Sequence, residues 1–210
     1  MTGIASITLE TPDPTTAEAF YTQAFGLGER LRFRASEAPT TGFRGFTLSL
    51  VVSQPSTVDT HVDAALAAGA TALKPAKKSF WGYGAVVEAP DGTIWKVATS
   101  AKKDLGPDTG QVDDVVLLLG VEDVRQSKRF YVDQGLVVAK SFGSKYVEFD
   151  APPSAIRLAL YSRRAAAKDA GVPAEGTGSH RLIVGTDAGE FTDPDGFVWE
   201  SVPSRARTGG

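Results

Sequence analysis

The chain contains no cysteine. That absence removes disulfides, thiolate nucleophiles and thiolate metal ligands together, and it agrees with a reducing compartment. Histidine is nearly as scarce, with 2 in 210 residues, His61 and His180. A Ser-His-Asp arrangement would have to recruit one of them, and neither lies beside a nucleophile-elbow signature. A dinucleotide loop is missing too, because Gly26-Leu27-Gly28 runs on into Glu29-Arg30-Leu31 without a third glycine. There is no excess of positive charge: 22 Lys and Arg stand against 25 Asp and Glu. Such a chain offers no basic stripe for a phosphate backbone, so no nucleic-acid partner is expected. No apolar run approaches the roughly 20 residues that span a bilayer, and the start Met1-Thr2-Gly3-Ile4 lacks a basic region followed by an apolar stretch. The protein is therefore expected to be soluble and cytoplasmic, with no membrane partner.

What is present is an ordinary globular composition, 42% hydrophobic and 22% charged, and an internal repeat. Ala89-Pro90-Asp91-Gly92-Thr93-Ile94-Trp95-Lys96-Val97 is matched by Asp193-Pro194-Asp195-Gly196-Phe197-Val198-Trp199-Glu200-Ser201. Pro-Asp-Gly is a turn signal, and the alternating residues after it read as a strand. Phe20-Tyr21 ahead of Gly26-Leu27 is matched by Phe130-Tyr131 ahead of Gly135-Leu136. Both pairs recur at roughly 105 to 110 residues, a distance that duplication of a whole domain explains and a solenoid does not. Residues 1–101 and 112–204 are accordingly expected to be two related domains. A Gly- and Pro-containing linker, 102–111, would join them, and 205–210 would form a flexible tail.

Each half opens with a strand followed by a helix. Asp13 is suited to cap the first helix, with Pro14 at its first position and Ala17, Phe20, Tyr21, Ala24 and Phe25 at helical spacing. Asp123 occupies the same place in the second half. A further helix is expected over 57–68, stopped by Gly69. Strands are expected near 4–10, 29–34, 45–52, 83–88 and 93–98. In the second half they fall near 113–119, 136–142, 145–150, 155–161, 180–185 and 197–202.

The strand, the helix ending in Phe-Tyr and Gly-Leu, and the terminal Pro-Asp-Gly-x-x-Trp segment, each occurring twice, together resemble the vicinal-oxygen-chelate superfamily. Phe80-Trp81-Gly82-Tyr83-Gly84, running toward Pro90-Asp91-Gly92-Thr93-Ile94-Trp95, is similar to its glyoxalase and bleomycin-resistance members. The resemblance implies an α+β fold of tandem βαβββ modules whose mixed sheets curl into a half-open cup, often completed across a homodimer. Both halves are short for it: the first has little room for the last strands of its first module, and the second leaves none for the usual helix after Val184.

The resemblance also implies a divalent metal held by His or Glu from the first, fourth, fifth and eighth strands, with open positions that polarise a substrate oxygen. Here the first-strand position falls at Ser6, the fifth around Thr47 to Ser49, and the Glu position after Trp95 is Lys96. In the second half His180 and Glu200 remain, but Val116 and Ala159 are apolar, with Asp114 and Arg157 nearby. His180 and Glu200 are thus weak metal candidates, and no cofactor is expected. Glu200 would instead pair with Arg157, Arg181 or Lys96, and His61 would be a solvated helix residue. The charged pair Lys96 and Glu200 is expected to face the cup and the tryptophans Trp95 and Trp199 the helices. Phe43, Phe46, Trp81, Tyr83, Lys96, Tyr146, Tyr161 and Glu200 are expected to line a cleft for a planar or aromatic small molecule. The function these expectations point to is metal-free drug sequestration, as in antibiotic resistance. The alternative is a metal-dependent glyoxalase- or dioxygenase-type enzyme using His180 and Glu200.

Overall fold

A computed structural model describes residues 3–152 and 156–202; the expected tail 205–210 lies outside the described residues. The first part of the chain forms β1 (Ile4–Thr11), α1 (Pro14–Ala24), β2 (Leu31–Ala35), β3 (Thr40–Gly42), β4 (Phe46–Val52), α2 (Pro55–Ala67), β5 (Thr71–Ser79), β6 (Gly82–Glu88) and β7 (Ile94–Thr99). The second part forms β8 (Val112–Val121), α3 (Val124–Asp133), β9 (Val138–Ser141), β10 (Tyr146–Phe149) and β11 (Arg157–Ser162). It continues with α4 (Arg163–Ala170), β12 (Gly176–Gly178), β13 (Leu182–Thr186), β14 (Phe191–Thr192) and β15 (Val198–Ser201).

The caps act as the sequence suggests. The Asp13 carboxylate accepts from the Thr16 amide at 3.0 Å and from its hydroxyl at 2.6 Å, while Pro14 opens α1. Asp123 accepts from the amides of Arg125 and Gln126 and so starts α3. These bonds satisfy amides that have no partner within the helix.

Two sheets carry the architecture. The larger has eight strands in the order β5-β6-β7-β4-β8-β11-β10-β9. In it β4 runs parallel to β7, β8 runs parallel to β11, and the antiparallel pair β4–β8 joins the two groups. Each group, β4-α2-β5-β6-β7 and β8-α3-β9-β10-β11, is a complete βαβββ module. The smaller sheet has five strands, β14-β15-β13-β1-β2, and repeats the scheme with parts missing. There β1 is parallel to β2, β13 is parallel to β15, and β1–β13 is the antiparallel joint. Its first module keeps a helix but only two strands, and its second has three strands and no helix. Both sheets draw strands from both sides of 102–111, so the two sequence repeats interleave in space.

One large core unites α1, α2 and α3 with the facing sides of both sheets, and it contains Trp95 and Trp199, 0% and 1% exposed. Lys96 and Glu200 point the other way, because neighbouring strand residues face opposite sides. A smaller apolar cluster forms on the far side of the eight-stranded sheet, where Ala166, Ala167 and Ala170 of α4 pack on Leu118, Ala159, Val86 and Ile94.

Besides the short strands β3, β12 and β14, two longer elements were not expected. β5 lacks alternation and contains Pro75; it is an edge strand whose register shifts on either side of Lys74, the kind of position where a missing amide is tolerated. α4 is alanine-rich, capped by Ser162 and closed by Gly171 at φ +85°. Both caps and the helix-forming composition were visible in the sequence.

Candidate functional site

The face of the eight-stranded sheet opposite α2 and α3 is the one on which α4 lies. Along it the register places Lys96 of β7 opposite Ser49 of β4, Ser49 opposite Val116 of β8, and Val116 opposite Arg157 of β11. These four residues form one row across the central strands, with a cation at each end. Lys96 Nζ lies 2.9 Å from Asp169 Oδ2 on α4. Arg157 reaches Asp114 at 2.7 Å and Glu148 at 3.0 Å. Glu148 also accepts the Tyr146 hydroxyl at 2.7 Å and lies 3.6 Å from Lys140.

This network sets the charge states at that end of the row. Burial pushes the Glu148 carboxyl up, but the hydrogen bonds from Tyr146 and Arg157 and the charges of Lys140 and Arg157 outweigh it and hold it below the usual value. Burial, followed by the bond to Glu148, drives the Tyr146 phenol well up. Tyr146 therefore stays neutral and acts as a donor, not as a base.

α4 covers part of this face because the chain is small where they touch. A Cβ at Gly120 would lie 3.1 Å from Ala166 Cβ and 3.1 Å from Arg163 Cα. Lys74 Nζ donates to the carbonyls of Lys168 at 2.9 Å and Asp169 at 2.6 Å, satisfying the free C-terminal end of the helix. Arg163 donates to the carbonyls of Ala174 and Phe43 and lies over the Phe43 ring, 5.3 Å from its centroid. Beyond α4, Ser49, Val51, Gly84, Ala98 and Val116 stay partly exposed. At this open end lies a recess of about 360 Å³ bounded by Lys74, Lys77, Trp81, Gly84, Lys96 and Asp169.

No family model matches the sequence, and no curated protein matches it. Solved structures do match. Glyoxalase I from Zea mays is similar with a TM-score of 0.65 at 14% identity, over 96% of this chain and 92% of that one. A putative dioxygenase from Bacillus subtilis subsp. subtilis str. 168 gives 0.63 at 11% identity, over 97% and 86%. This chain has the vicinal-oxygen-chelate fold.

The metal that this fold implies can be tested against the donors present. In the eight-stranded cup the first and last strands of the paired modules present Ser49, Lys96, Val116 and Arg157, which are two cations, one hydroxyl and one hydrocarbon. In the five-stranded cup Ser6, Gly185 and Glu200 lie in one register row. Neither set supplies the three ligands a divalent ion needs, and two fixed positive charges oppose it. Among the described residues no group of three or more His, Asp or Glu could hold a metal.

Several expected placements need correction. Lys96 and Glu200 do not face one cup: Glu200, in the row of Gly185 and Ser6, belongs to the five-stranded sheet and Lys96 to the eight-stranded sheet. Glu200 pairs with Arg34 through two bonds of 2.8 Å, not with Arg157, Arg181 or Lys96. Phe43 and Phe46 are 4% and 2% exposed; they border a separate recess of about 260 Å³ with Arg44, Glu88 and Thr93. Tyr83 turns its hydroxyl to Asp59 of α2 at 2.8 Å, away from the α4 face. Tyr146 and Tyr161 pack edge to face, 5.1 Å apart, at the β10–β11 side of α4. Trp81 stands exposed at the rim of the larger recess, and Lys96 is on its floor. Trp81, Tyr83 and Lys96 border the larger recess, whereas Phe46 faces the main core on the other side of the same sheet. α4 lies between that recess and the Tyr146–Tyr161 pair, and Glu200 is on the other sheet, so the expected residues do not line a single cleft.

Both histidines are structural. His180 Nδ1 lies 2.5 Å from the Arg44 carbonyl and Nε2 lies 3.1 Å from the Asp195 carbonyl, with the ring stacked on Phe197 at 3.9 Å. The first half has a counterpart that the sequence reading missed: Arg44 donates to the Asp91 carbonyl of its own Pro-Asp-Gly turn. Arg44 and His180 each stand two residues before a module's first strand, followed by a left-handed residue, Gly45 at φ +85° or Arg181 at φ +51°. His61 is 7% exposed rather than solvated. The 102–111 segment covers it, with Gly110 O at 3.1 Å from Nε2 and Asp108 bonded to Thr57 and Thr60 of α2. Hydroxyl contacts hold the Asp108 carboxyl down at about 2.

Proposed function

We propose that the protein binds a small, flat, oxygen-rich molecule on the open half of the α4 face without a metal, and that it acts by sequestration, as in natural-product resistance. The observation behind this reading is the row Lys96–Ser49–Val116–Arg157, in which cations stand where the fold implies metal ligands. Lys96 and Lys77 would meet acidic or carbonyl oxygens of the ligand, while Gly84 and Ala98 leave a bare floor for a ring and Trp81 closes one side. Lys96 is tied to Asp169 and no carboxylate or imidazole of the row is placed to act as a base, which supports binding as the activity. Calorimetric titration of the full chain with planar, conjugated carboxylates tests it. Binding is expected to be insensitive to a chelator, and Lys96→Ala is expected to weaken it about tenfold, the usual scale for losing a charged hydrogen bond. The reading fails if no such ligand binds while a stoichiometric divalent metal binds tightly and confers turnover.

A further inference from the structure

The turn between β5 and β6 ends in Phe80 and Trp81, which are 80% and 83% exposed and meet edge to face with centroids 5.0 Å apart. Two large aromatic rings at a protruding tip leave apolar surface in water with no gain in folding, and such surface marks an interaction site. The tip is firmly backed. A Cβ at Gly82 would fall 2.0 Å from Thr99 O, and Tyr83 pairs with Thr99, so the chain leaving β7 passes beside the aromatics. Lys102 Nζ then lies 5.6 Å from the centre of the Phe80 ring.

Charge completes the pattern. Lys77, Lys78, Lys102 and Lys103 are all exposed, and no acidic residue occurs from Thr71 to Val87. Leu105, 77% exposed, leaves the same end of the sheet. Its amide is bonded to Gln54 just past β4, which runs parallel to β7. The neighbouring acids are engaged: Asp59 accepts from Tyr83, Asp104 accepts from the Ser56 amide at 2.8 Å, and Asp169 of α4, at the recess, is paired with Lys96.

We infer that this tip docks on an anionic lipid surface, with Phe80 and Trp81 seated at headgroup level and the four lysines against the lipid charge. Aromatic rings favour the membrane–water interface, and each lysine near an anionic surface contributes roughly fivefold in affinity. The edge-to-face rings, with an interplanar angle of 89°, offer no parallel platform for stacked bases, which argues against a single-stranded nucleic acid. Attachment of this kind needs no spanning segment, so the sequence-based expectation of no membrane partner, which rested on the lack of one, does not bear on it. The β9–β10 turn at the opposite end of the sheet provides an internal control. It exposes one aromatic, Phe142, at 65%.

The test is cosedimentation of the full chain with vesicles of phosphatidylcholine alone or mixed with phosphatidylserine. Binding is expected only with phosphatidylserine, together with a blue shift of tryptophan emission that reports Trp81, since Trp95 and Trp199 are buried. The Phe80→Ser/Trp81→Ser and Lys77→Glu/Lys78→Glu variants should each lose at least about tenfold in vesicle affinity with unchanged thermal unfolding, and Phe142→Ser should bind as the parent does. The inference is overturned if the chain ignores anionic vesicles or if the aromatic variant binds them undiminished. It is equally overturned if both variants abolish binding to RNA or to a second copy of the chain and leave vesicle binding intact.

Discussion

The two sheets are built on one plan and have diverged in what their last strands carry. In the eight-stranded sheet Lys96 on β7 and Arg157 on β11 have the same sign, and each is neutralised by its own acid: Asp169 from α4 for one, Asp114 and Glu148 for the other. In the five-stranded sheet Arg34 on β2 and Glu200 on β15 have opposite signs and neutralise each other. In the complete cup Arg157 finds its acids on strands of the same sheet, while the partner of Lys96 arrives on a helix that also fills part of the cup. The abbreviated cup closes on itself. The two sheets thus end in a partly open, charged floor in one and a cross-sheet ion pair in the other.

The largest effect should come from forcing α4 off its sheet. Gly120→Leu places a side chain where Ala166 and the Arg163 backbone already lie at 3.1 Å, and overpacking of this kind costs about 1–3 kcal/mol. Urea unfolding should show that loss, and trypsin should cut the native protein faster at Arg163, Arg164 and Lys168. Unchanged stability and cleavage would mean that α4 is not held by close packing.

Next in size is the contrast between the ion pairs. Arg157→Met leaves Glu148 and Asp114, whose side chains are only 12% and 23% exposed, without their shared partner, and should cost about 1–2 kcal/mol. Arg34→Met removes a pair with side chains 47% and 39% exposed, worth about 0.5 kcal/mol or less and further screened by salt. Equal losses for the two variants would abolish the distinction drawn between the sheets.

The sequence makes the modules legible because their signals are local. Asp13 with Pro14, Asp123, and the two Pro-Asp-Gly turns each act within a few residues, and the alternation after each turn places Trp95 and Trp199 opposite Lys96 and Glu200. The site was less legible because its contacts are long-range. Nothing near Glu200 announces Arg34, which lies 166 positions away in sequence, and nothing near Lys96 announces Asp169. His180 invited a metal reading because its partners are backbone carbonyls, which leave no trace in the residue types. The interleaving of the repeats also placed Lys96 and Glu200, read as one pair facing the cup, on different sheets. The equivalence of Arg44 and His180 could have been found earlier, by aligning Phe43-Arg44-Gly45-Phe46 with Ser179-His180-Arg181-Leu182 ahead of the two strands, as could the capped, alanine-rich α4.

The smallest effect, and the sharpest discriminator, is in acid. Glu148 and Glu200 both titrate below their ordinary value of 4.5, so the unfolded chain takes up protons more readily than the folded one. Their stabilisation is complete above that value and is lost as pH falls through the lowered folded ones. The causes differ. Glu148 is lowered against the pull of burial, whereas Glu200 is lowered chiefly by its hydrogen bonds from Arg34 with little burial to oppose them. Removing the arginine should therefore give different end points. In Arg157→Met the Glu148 carboxyl should rise yet remain under the opposing pulls of burial and of Tyr146 and Lys140; in Arg34→Met the Glu200 carboxyl should return toward its ordinary value, because Arg34 is what lowers it. Carbon-detected NMR titration of the two side chains reads both directly. Parallel shifts of the same size would show that the two sheets bury their end charges alike, and that the openness of the eight-stranded cup lies in its shape alone.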